Sequence, residues 1–237
     1  MKKEINIGKH IIGFEHPVYF IADIAANHDG DFKRALKLIE LAKEAGADAA
    51  KFQNFHASRI VSRKGFDSMR GQLSHQKGWK KSVYEVYDDA SISMDWTSGL
   101  KEKCDEVGIE YFTSPYDKQS VDAVDPFVSL YKIGSGELTN IPFLKHIAKK
   151  KKPVILSTGM SNMEEIKFAV ELFKKSKTPL AILQTTSEYP CDYKDINLGV
   201  ISKYKKNFKI PIGISDHSLG IYTALGAVAL GACIVEK

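Results

Sequence analysis

The sequence predicts an α/β protein, a (β/α)8 TIM barrel, and two recurring connectors are the observations that predict it. In the first, a helical stretch ends in glycine and a short apolar strand follows at once, around Gly46, Gly108 and Gly231. In the second, a proline stands immediately before the strand, at Pro153, Pro179 and Pro211. With the apolar runs at Val18–Ala22 and Leu130–Ile133, these give about eight short strands separated by helices, the order of a closed parallel barrel.

Each element has a local reason. Val18 to Ala22 reads as a buried strand ending at Asp23, and Phe32, Ala35, Leu36, Ile39 and Ala42 then recur at helical spacing. Asp31 is the expected N-cap of that helix and Gly46 its C-terminal stop. Ala49–Gln53 is the second strand, which completes a βαβ unit. Further strands are expected at Ile109–Thr113, Leu130–Ile133, Val154–Ser157, Leu180–Leu183, Ile212–Ser215 and Ala232–Glu236. Helices are expected at Lys101–Val107 and Ile221–Leu230, and Asn140 with Pro142 opens another. Ser161-Asn162-Met163-Glu164 reads as a capping box for a helix running through Phe173.

Two stretches break the rhythm. From His56 to Asp95 the second βα connection far exceeds the usual ~2–6 residues. It carries Gln72, His75, Trp79, Tyr84 and Tyr87 and leads to Trp96, so an ordered cover over the barrel mouth is expected, or else a surface excursion with its own small core. The last strand ends at Lys237 with no closing helix after it, which reads as an incomplete barrel spanning residues 1–237.

Composition narrows the class. No apolar run is long enough to span a bilayer, and Met1-Lys2-Lys3-Glu4 lacks the apolar core of a signal peptide. The net charge is +5, with lysine clusters at Lys80-Lys81, Lys149–Lys152 and Lys205-Lys206 that carry no interleaved aromatics. They read as solvated surface rather than a nucleic-acid site. Cys104, Cys191 and Cys233 are odd in number and widely spaced, as expected of free thiols in a cytoplasmic protein.

Active sites of such barrels lie at the C-terminal ends of the strands. There the sequence sets Asp23, Lys51, Gln53, Thr113, Ser114, Lys132, Ser135 and Glu137. The series continues with Ser157, Thr158, Thr186, Ser187, Tyr189, Ser215, Asp216, His217, Glu236 and Lys237. A lone strand-end serine is most often a helix cap. Recurrence on nearly every strand is not so explained. Three lysines and a run of hydroxyls on one rim are donors matched to phosphate and carboxylate oxygens. They predict a small anionic, phosphorylated substrate.

The strings FIADIAANHDG (Phe20–Gly30), EAGADAAKFQ (Glu44–Gln53) and YKIGSGELTN (Tyr131–Asn140) resemble the sialic acid synthase family, the phosphoenolpyruvate-dependent N-acetylneuraminate synthases. VILSTGM ending at Met160, TTSEYP ending at Pro190 and ISDHSLG (Ile214–Gly220) extend the resemblance from about Val18 to Lys237. It implies condensation of phosphoenolpyruvate with an N-acyl-hexosamine to give a nine-carbon 2-keto sugar acid and phosphate, assisted by a divalent metal, Mn2+ or Mg2+. By that resemblance Lys51, Ser114, Lys132, Ser135, Ser157, Ser187 and Ser215 hold phosphoenolpyruvate. Gln53, Glu137 and Tyr189 face the sugar, His217 binds the metal, and Asp23 positions the reacting centre or its water.

The family commonly has Glu where Asp23 stands and often Asn where Ser187 stands. Its second metal histidine follows the Glu-Lys that closes strand eight, and the present sequence stops at Lys237. A C-terminal antifreeze-like domain, which many relatives use across a homodimer, is expected to be missing too. On this basis the chain is expected to bind phosphoenolpyruvate but to turn over poorly. Other phosphoenolpyruvate-dependent aldol synthases and a degenerate, non-catalytic sugar-binding barrel are the alternatives. N-Acetylmannosamine and its di-N-acetylated relatives fit the shared motifs equally well.

Overall fold

A computed structural model describes residues 3–68 and 78–237, so Gln72 and His75 of the expected cover lie outside the described residues. Eight parallel strands close into a barrel: β3 (Tyr19–Ala25), β4 (Ala49–Asn54), β5 (Glu110–Pro115), β6 (Tyr131–Ile133), β7 (Val154–Ser157), β8 (Leu180–Thr185), β9 (Ile212–Ser215) and β10 (Ile234–Glu236). Closure is made by β10, where Ile234 pairs with Tyr19 of β3 and with Gly213 of β9. The strands β7 and β8 are buried at every position, because helices cover one face of the sheet and the barrel interior fills the other. Each fully buried Val, Leu or Ile on them contributes about 1.5–3 kcal/mol of apolar transfer.

The helices start and stop as their sequences dictate. Asp31 accepts the backbone N–H groups of Lys33 and Arg34 and so caps α1 (Phe32–Glu44). Gly46, Gly108 and Gly231 all adopt positive φ at the helix-to-strand turns, as the repeated connector requires. Asn140 caps α7 (Ile141–Lys149) through the N–H of Phe143. The capping box of α8 (Met163–Lys175) is displaced by one residue from the expected one. Asn162 is the cap and Glu165 the reciprocal carboxylate, because Asn162 holds the extended backbone while the Ser161 hydroxyl turns back to the carbonyl of Gly159.

Two features depart from the sequence reading. Residues 4–13 form an antiparallel hairpin, β1 (Glu4–Ile7) with β2 (His10–Gly13), which the sequence reading left unassigned. Its Ile5, Ile7 and Ile12 are buried, and His10 lies edge-on to Tyr19 at the start of β3, so the hairpin plugs the barrel end opposite the strand-end residues. The strand β3 also runs on past Asp23 to Ala25, through a register shift against β4 that follows the Asp23–Lys51 pairing.

The long second connection holds short helices α2 (Ala57–Ile60), α3 (Arg63–Ser68) and α4 (Val83–Asp89). Phe55, Trp79 and Tyr87 form an aromatic cluster, with ring centroids 5.7 Å and 6.5 Å from Tyr87, and Arg63 lies over the Tyr84 ring. Thus the connection has a core of its own and, through Tyr87, also walls the barrel mouth. Trp96 does not belong to this cover. It opens α5 (Trp96–Val107) and packs on His28 and on Phe32 of α1, within the helix layer. Among the described residues no helix is long and apolar enough to cross a membrane. All three cysteines are free and buried.

Candidate active site

A cavity of about 580 Å3 opens at the C-terminal ends of the strands. Each of the twelve residues singled out as site candidates lines it: Asp23, Lys51, Gln53, Ser114, Lys132, Ser135, Glu137, Ser157, Ser187, Tyr189, Ser215 and His217. The parallel register explains the convergence. Asp23 is the Cα partner of Lys51 across β3 and β4, and Lys132 and Ser157 end neighbouring strands. Their immediate neighbours point the other way, since side chains alternate along a strand.

Several expected rim residues are therefore structural. Thr113 donates to Asn54, Thr158 to the carbonyl of Leu183, and Thr186 to the carbonyl of Asp195. Asp216 accepts from the backbone and hydroxyl of Ser218. The third lysine does not join the other two: Lys237 Nζ lies 2.7 Å from Asp216 Oδ2 and 2.7 Å from the Ser218 carbonyl, away from the cavity.

The polar floor is built around Glu236, to which the sequence reading gave no role. Its two carboxylate oxygens each meet one ammonium, Oε2 with Lys51 Nζ and Oε1 with Lys132 Nζ, both at 3.0 Å. Lys51 also meets Asp23 Oδ2 at 3.0 Å, and the Ser215 hydroxyl donates to Glu236 Oε1 at 2.7 Å. Burial works against the charge of Glu236, but Lys132 and Lys51 overcome it and hold the carboxyl at about 2. Burial lowers the pKa of Lys132, which shares the Glu236 carboxylate with Lys51. Burial opposes the charge of Lys51 as well, yet with both Asp23 and Glu236 beside it the pKa is raised. Two buried cations at strand ends require a counter-ion, and that requirement was the signal for Glu236.

The hydroxyls ring this floor. The backbone N–H of Gly159 donates to Ser135 Oγ at 3.0 Å, and a Cβ at Gly159 would stand 2.4 Å from Ser187 Oγ. Only glycine admits both hydroxyls there. Ser157 Oγ is buried and has no hydrogen-bond partner among the described residues. It is a donor aimed into the cavity floor that a ligand oxygen can satisfy.

His217 stands beside the floor with its ring stacked on Tyr189, centroids 4.0 Å apart. Its Nδ1 faces the carbonyl oxygen of Thr186 at 2.7 Å, so Nδ1 carries the proton and Nε2 keeps its lone pair. Burial lowers the pKa of the ring, which keeps it neutral. Asp23 Oδ1 is buried and unpartnered among the described residues. A lone-pair imidazole nitrogen and a free carboxylate oxygen on one cavity suit a hard divalent ion whose remaining positions are filled by water or ligand oxygens. Among the described residues no cluster of three or more His, Cys, Asp or Glu side chains forms a metal cage.

Gln53, Tyr87, Tyr116, Glu137 and Tyr189 complete the lining of the cavity. Burial raises the pKa of Glu137, against its own backbone hydrogen bond and the attraction of Lys132. Burial likewise pushes the Tyr189 phenol up to about 12 and raises that of Tyr87. Tyr87 and Tyr116 were not among the site candidates, because nothing local in a long connection or after a strand end says which aromatics reach the cavity.

A conserved-domain profile described as the NeuB family matches residues 38–237. The chain belongs to the NeuB family. NeuB relatives include the N,N'-diacetyllegionaminic acid synthase of Legionella pneumophila, 37% identical over 92% of this chain and 63% of its own length. Pseudaminic acid synthase of Campylobacter jejuni is 40% identical over 93% of the chain and 64% of its own length. The chain thus spans less than two thirds of the length of these two NeuB relatives. The crystal structure of N-acetylneuraminic acid synthetase from Leptospira borgpetersenii, in complex with citrate, superposes with a TM-score of 0.89 at 35% identity, over 100% of this chain and 78% of that one. The barrel itself recurs more widely: 3-deoxy-D-arabino-heptulosonate 7-phosphate synthase of Thermotoga maritima gives a TM-score of 0.73 at 17% identity, a likeness of fold alone.

Proposed function

We propose that this barrel condenses phosphoenolpyruvate with an N-acyl-hexosamine, N-acetylmannosamine or a di-N-acetylated relative, to give a nine-carbon 2-keto sugar acid and phosphate. The observation that carries the reading is the pair of buried ammoniums, Lys51 and Lys132, on one buried carboxylate beneath a ring of serine hydroxyls. Such a floor suits a ligand with two anionic groups close together, and phosphoenolpyruvate carries a phosphate and a carboxylate on the same carbon. The names of the legionaminic, pseudaminic and N-acetylneuraminic relatives support the same chemistry.

In this mechanism Lys51, Lys132 and the hydroxyls of Ser114, Ser135, Ser157, Ser187 and Ser215 hold the phosphoenolpyruvate with carbon 3 toward the cavity mouth. Carbon 3 attacks the open-chain aldehyde carbon, and the aldehyde oxygen takes up a proton to become a hydroxyl. Water adds at carbon 2, and the carbon–oxygen bond to phosphate breaks as the ketone forms. Asp23, with one oxygen held by Lys51 and the other unpartnered among the described residues, is placed to orient that water. Gln53, Glu137 and Tyr189 hold the sugar hydroxyls. A Mn2+ or Mg2+ ion, held by His217 Nε2 with water or ligand oxygens completing its shell, would polarise the aldehyde. The reading places the protein in the cytoplasm, as a homodimer.

Calorimetry with phosphoenolpyruvate and a phosphate-release assay with N-acetylmannosamine and Mn2+ test the reading. Saturable binding plus slow, sugar-dependent phosphate release is expected. Absence of phosphoenolpyruvate binding refutes it.

A further inference from the structure

We propose that Tyr87 is a specificity-determining residue that selects aldehydes bearing an acylamido group; the inference rests on the function proposed above. Among the described residues, Tyr87 is the one side chain of the long 56–95 connection that borders the cavity. It is a placed ring, not a loose one. Its helix α4 is fixed by a full capping box between Ser82 and Glu85, and the ring packs on Phe55 and Trp79. Phe55 in turn meets Tyr116 edge-on at 5.7 Å, so one aromatic stack runs from the connection into the cavity wall.

The cavity is chemically divided. The lysines and serines make a floor rich in ammonium and hydroxyl donors, suited to the phosphorylated acid. The rest of the cavity, left for the co-substrate, is lined by Gln53, Glu137 and three tyrosines, Tyr87, Tyr116 and Tyr189. The amide and the carboxylate serve sugar hydroxyls but offer no apolar surface. The tyrosines supply an apolar ring face with a hydroxyl at its tip, and Tyr87 is the one that the long connection brings to the cavity. Burial and the nearby Glu137 keep that hydroxyl protonated and able to donate. A methyl beside an amide carbonyl is the substituent that matches both features. A plain hexose does not.

The test compares wild type, Tyr87→Phe and Tyr87→Leu. Phosphoenolpyruvate affinity is measured by calorimetry. With saturating phosphoenolpyruvate and Mn2+, phosphate release gives KM for N-acetylmannosamine and the apparent affinity for mannose, as substrate or competitor. Tyr87→Leu is expected to raise KM for N-acetylmannosamine about tenfold, the scale of one lost apolar contact. Affinity for mannose and for phosphoenolpyruvate should stay within about twofold, and Tyr87→Phe should show a smaller rise. Equal changes for the two sugars, or a parallel loss of phosphoenolpyruvate affinity, overturn the inference and leave the proposed function standing. Wild type that binds phosphoenolpyruvate yet releases no phosphate with N-acetylmannosamine overturns the proposed co-substrate and the inference with it.

Discussion

Lys132 Nζ and Glu236 Oε1 stand 3.0 Å apart, with both side chains almost wholly buried at the floor of the barrel mouth. The same carboxylate holds Lys51, so removing its charge leaves two buried cations with Asp23 as the one remaining carboxylate in contact among the described residues. Glu236→Gln is expected to cost about 3 kcal/mol of stability, the scale of a broken buried pair. The pH dependence has a definite sign. The folded carboxyl titrates near 2, below the ordinary value of 4.5. Its contribution is therefore complete above pH 4.5 and is lost as pH falls toward 2. Thermal unfolding across that range should show wild type losing stability more steeply than Glu236→Gln. Parallel curves would mean that Glu236 is not the counter-ion.

The lysines themselves are separable. Lys51→Met or Lys132→Met should each weaken phosphoenolpyruvate binding by about 1.5–3 kcal/mol, the scale of a hydrogen bond to a charged group. The pKa of Lys132 is lowered and that of Lys51 raised. As pH rises, Lys132 is then the first of the two to lose its proton, and affinity in the Lys51→Met variant should fall at lower pH than in Lys132→Met. Calorimetry over pH 7 to 10 reads both effects. Unchanged affinity in both variants would remove the lysines from the ligand site.

Much of this was legible in the chain because the barrel repeats. Gly46, Gly108 and Gly231 mark the helix ends before three of the parallel strands, and strand alternation then sets which strand-end residues face inward. What was not legible depended on distant partners. The role of Glu236 is set by Lys51 and Lys132, more than a hundred residues earlier in the chain, which β-sheet closure alone brings to it. Thr113, Thr158 and Thr186 have the same chemistry as their serine neighbours and differ only in which way each side chain turns at the strand end. Tyr87 was hidden for another reason. No periodicity fixes the path of a long connection, so its aromatics could not be sorted into wall and core. The hairpin at residues 4–13 was missed because its alternation spans only four residues per strand.

His217 offers a test of the metal assignment that does not depend on turnover. Its Nδ1 donates to the Thr186 carbonyl, which leaves the Nε2 lone pair as the ligand nitrogen toward the cavity. Electron paramagnetic resonance of added Mn2+ should show bound ion in the wild-type protein when phosphoenolpyruvate is present. His217→Ala should reduce the bound fraction at least tenfold, while phosphoenolpyruvate affinity measured without metal stays unchanged. Equal Mn2+ binding by the two proteins would assign the ion elsewhere.

Gly159 gives the sharpest steric prediction. It follows β7 and Thr158, and its N–H donates to Ser135 Oγ. A methyl group there would lie 2.4 Å from Ser187 Oγ, 2.9 Å from Ser135 Oγ and 3.0 Å from the Thr185 carbonyl, all inside van der Waals contact. The serine side chains can rotate away, but the Thr185 backbone cannot, since it belongs to β8 and is held in the barrel ladder. The least costly response to Gly159→Ala is therefore to swing both hydroxyls out of their positions over the lysine floor. Loss of two hydrogen bonds to a charged ligand should weaken phosphoenolpyruvate binding by about 3 kcal/mol, whereas the barrel ladder stays paired. Ser135→Ala and Ser187→Ala together should weaken binding to a similar degree, and adding Gly159→Ala to that double variant should cost little more. Calorimetry on the four proteins, with far-ultraviolet circular dichroism as the check on folding, reads this non-additivity. Additive losses would show that Gly159 acts through the backbone of β8 and not through the two hydroxyls.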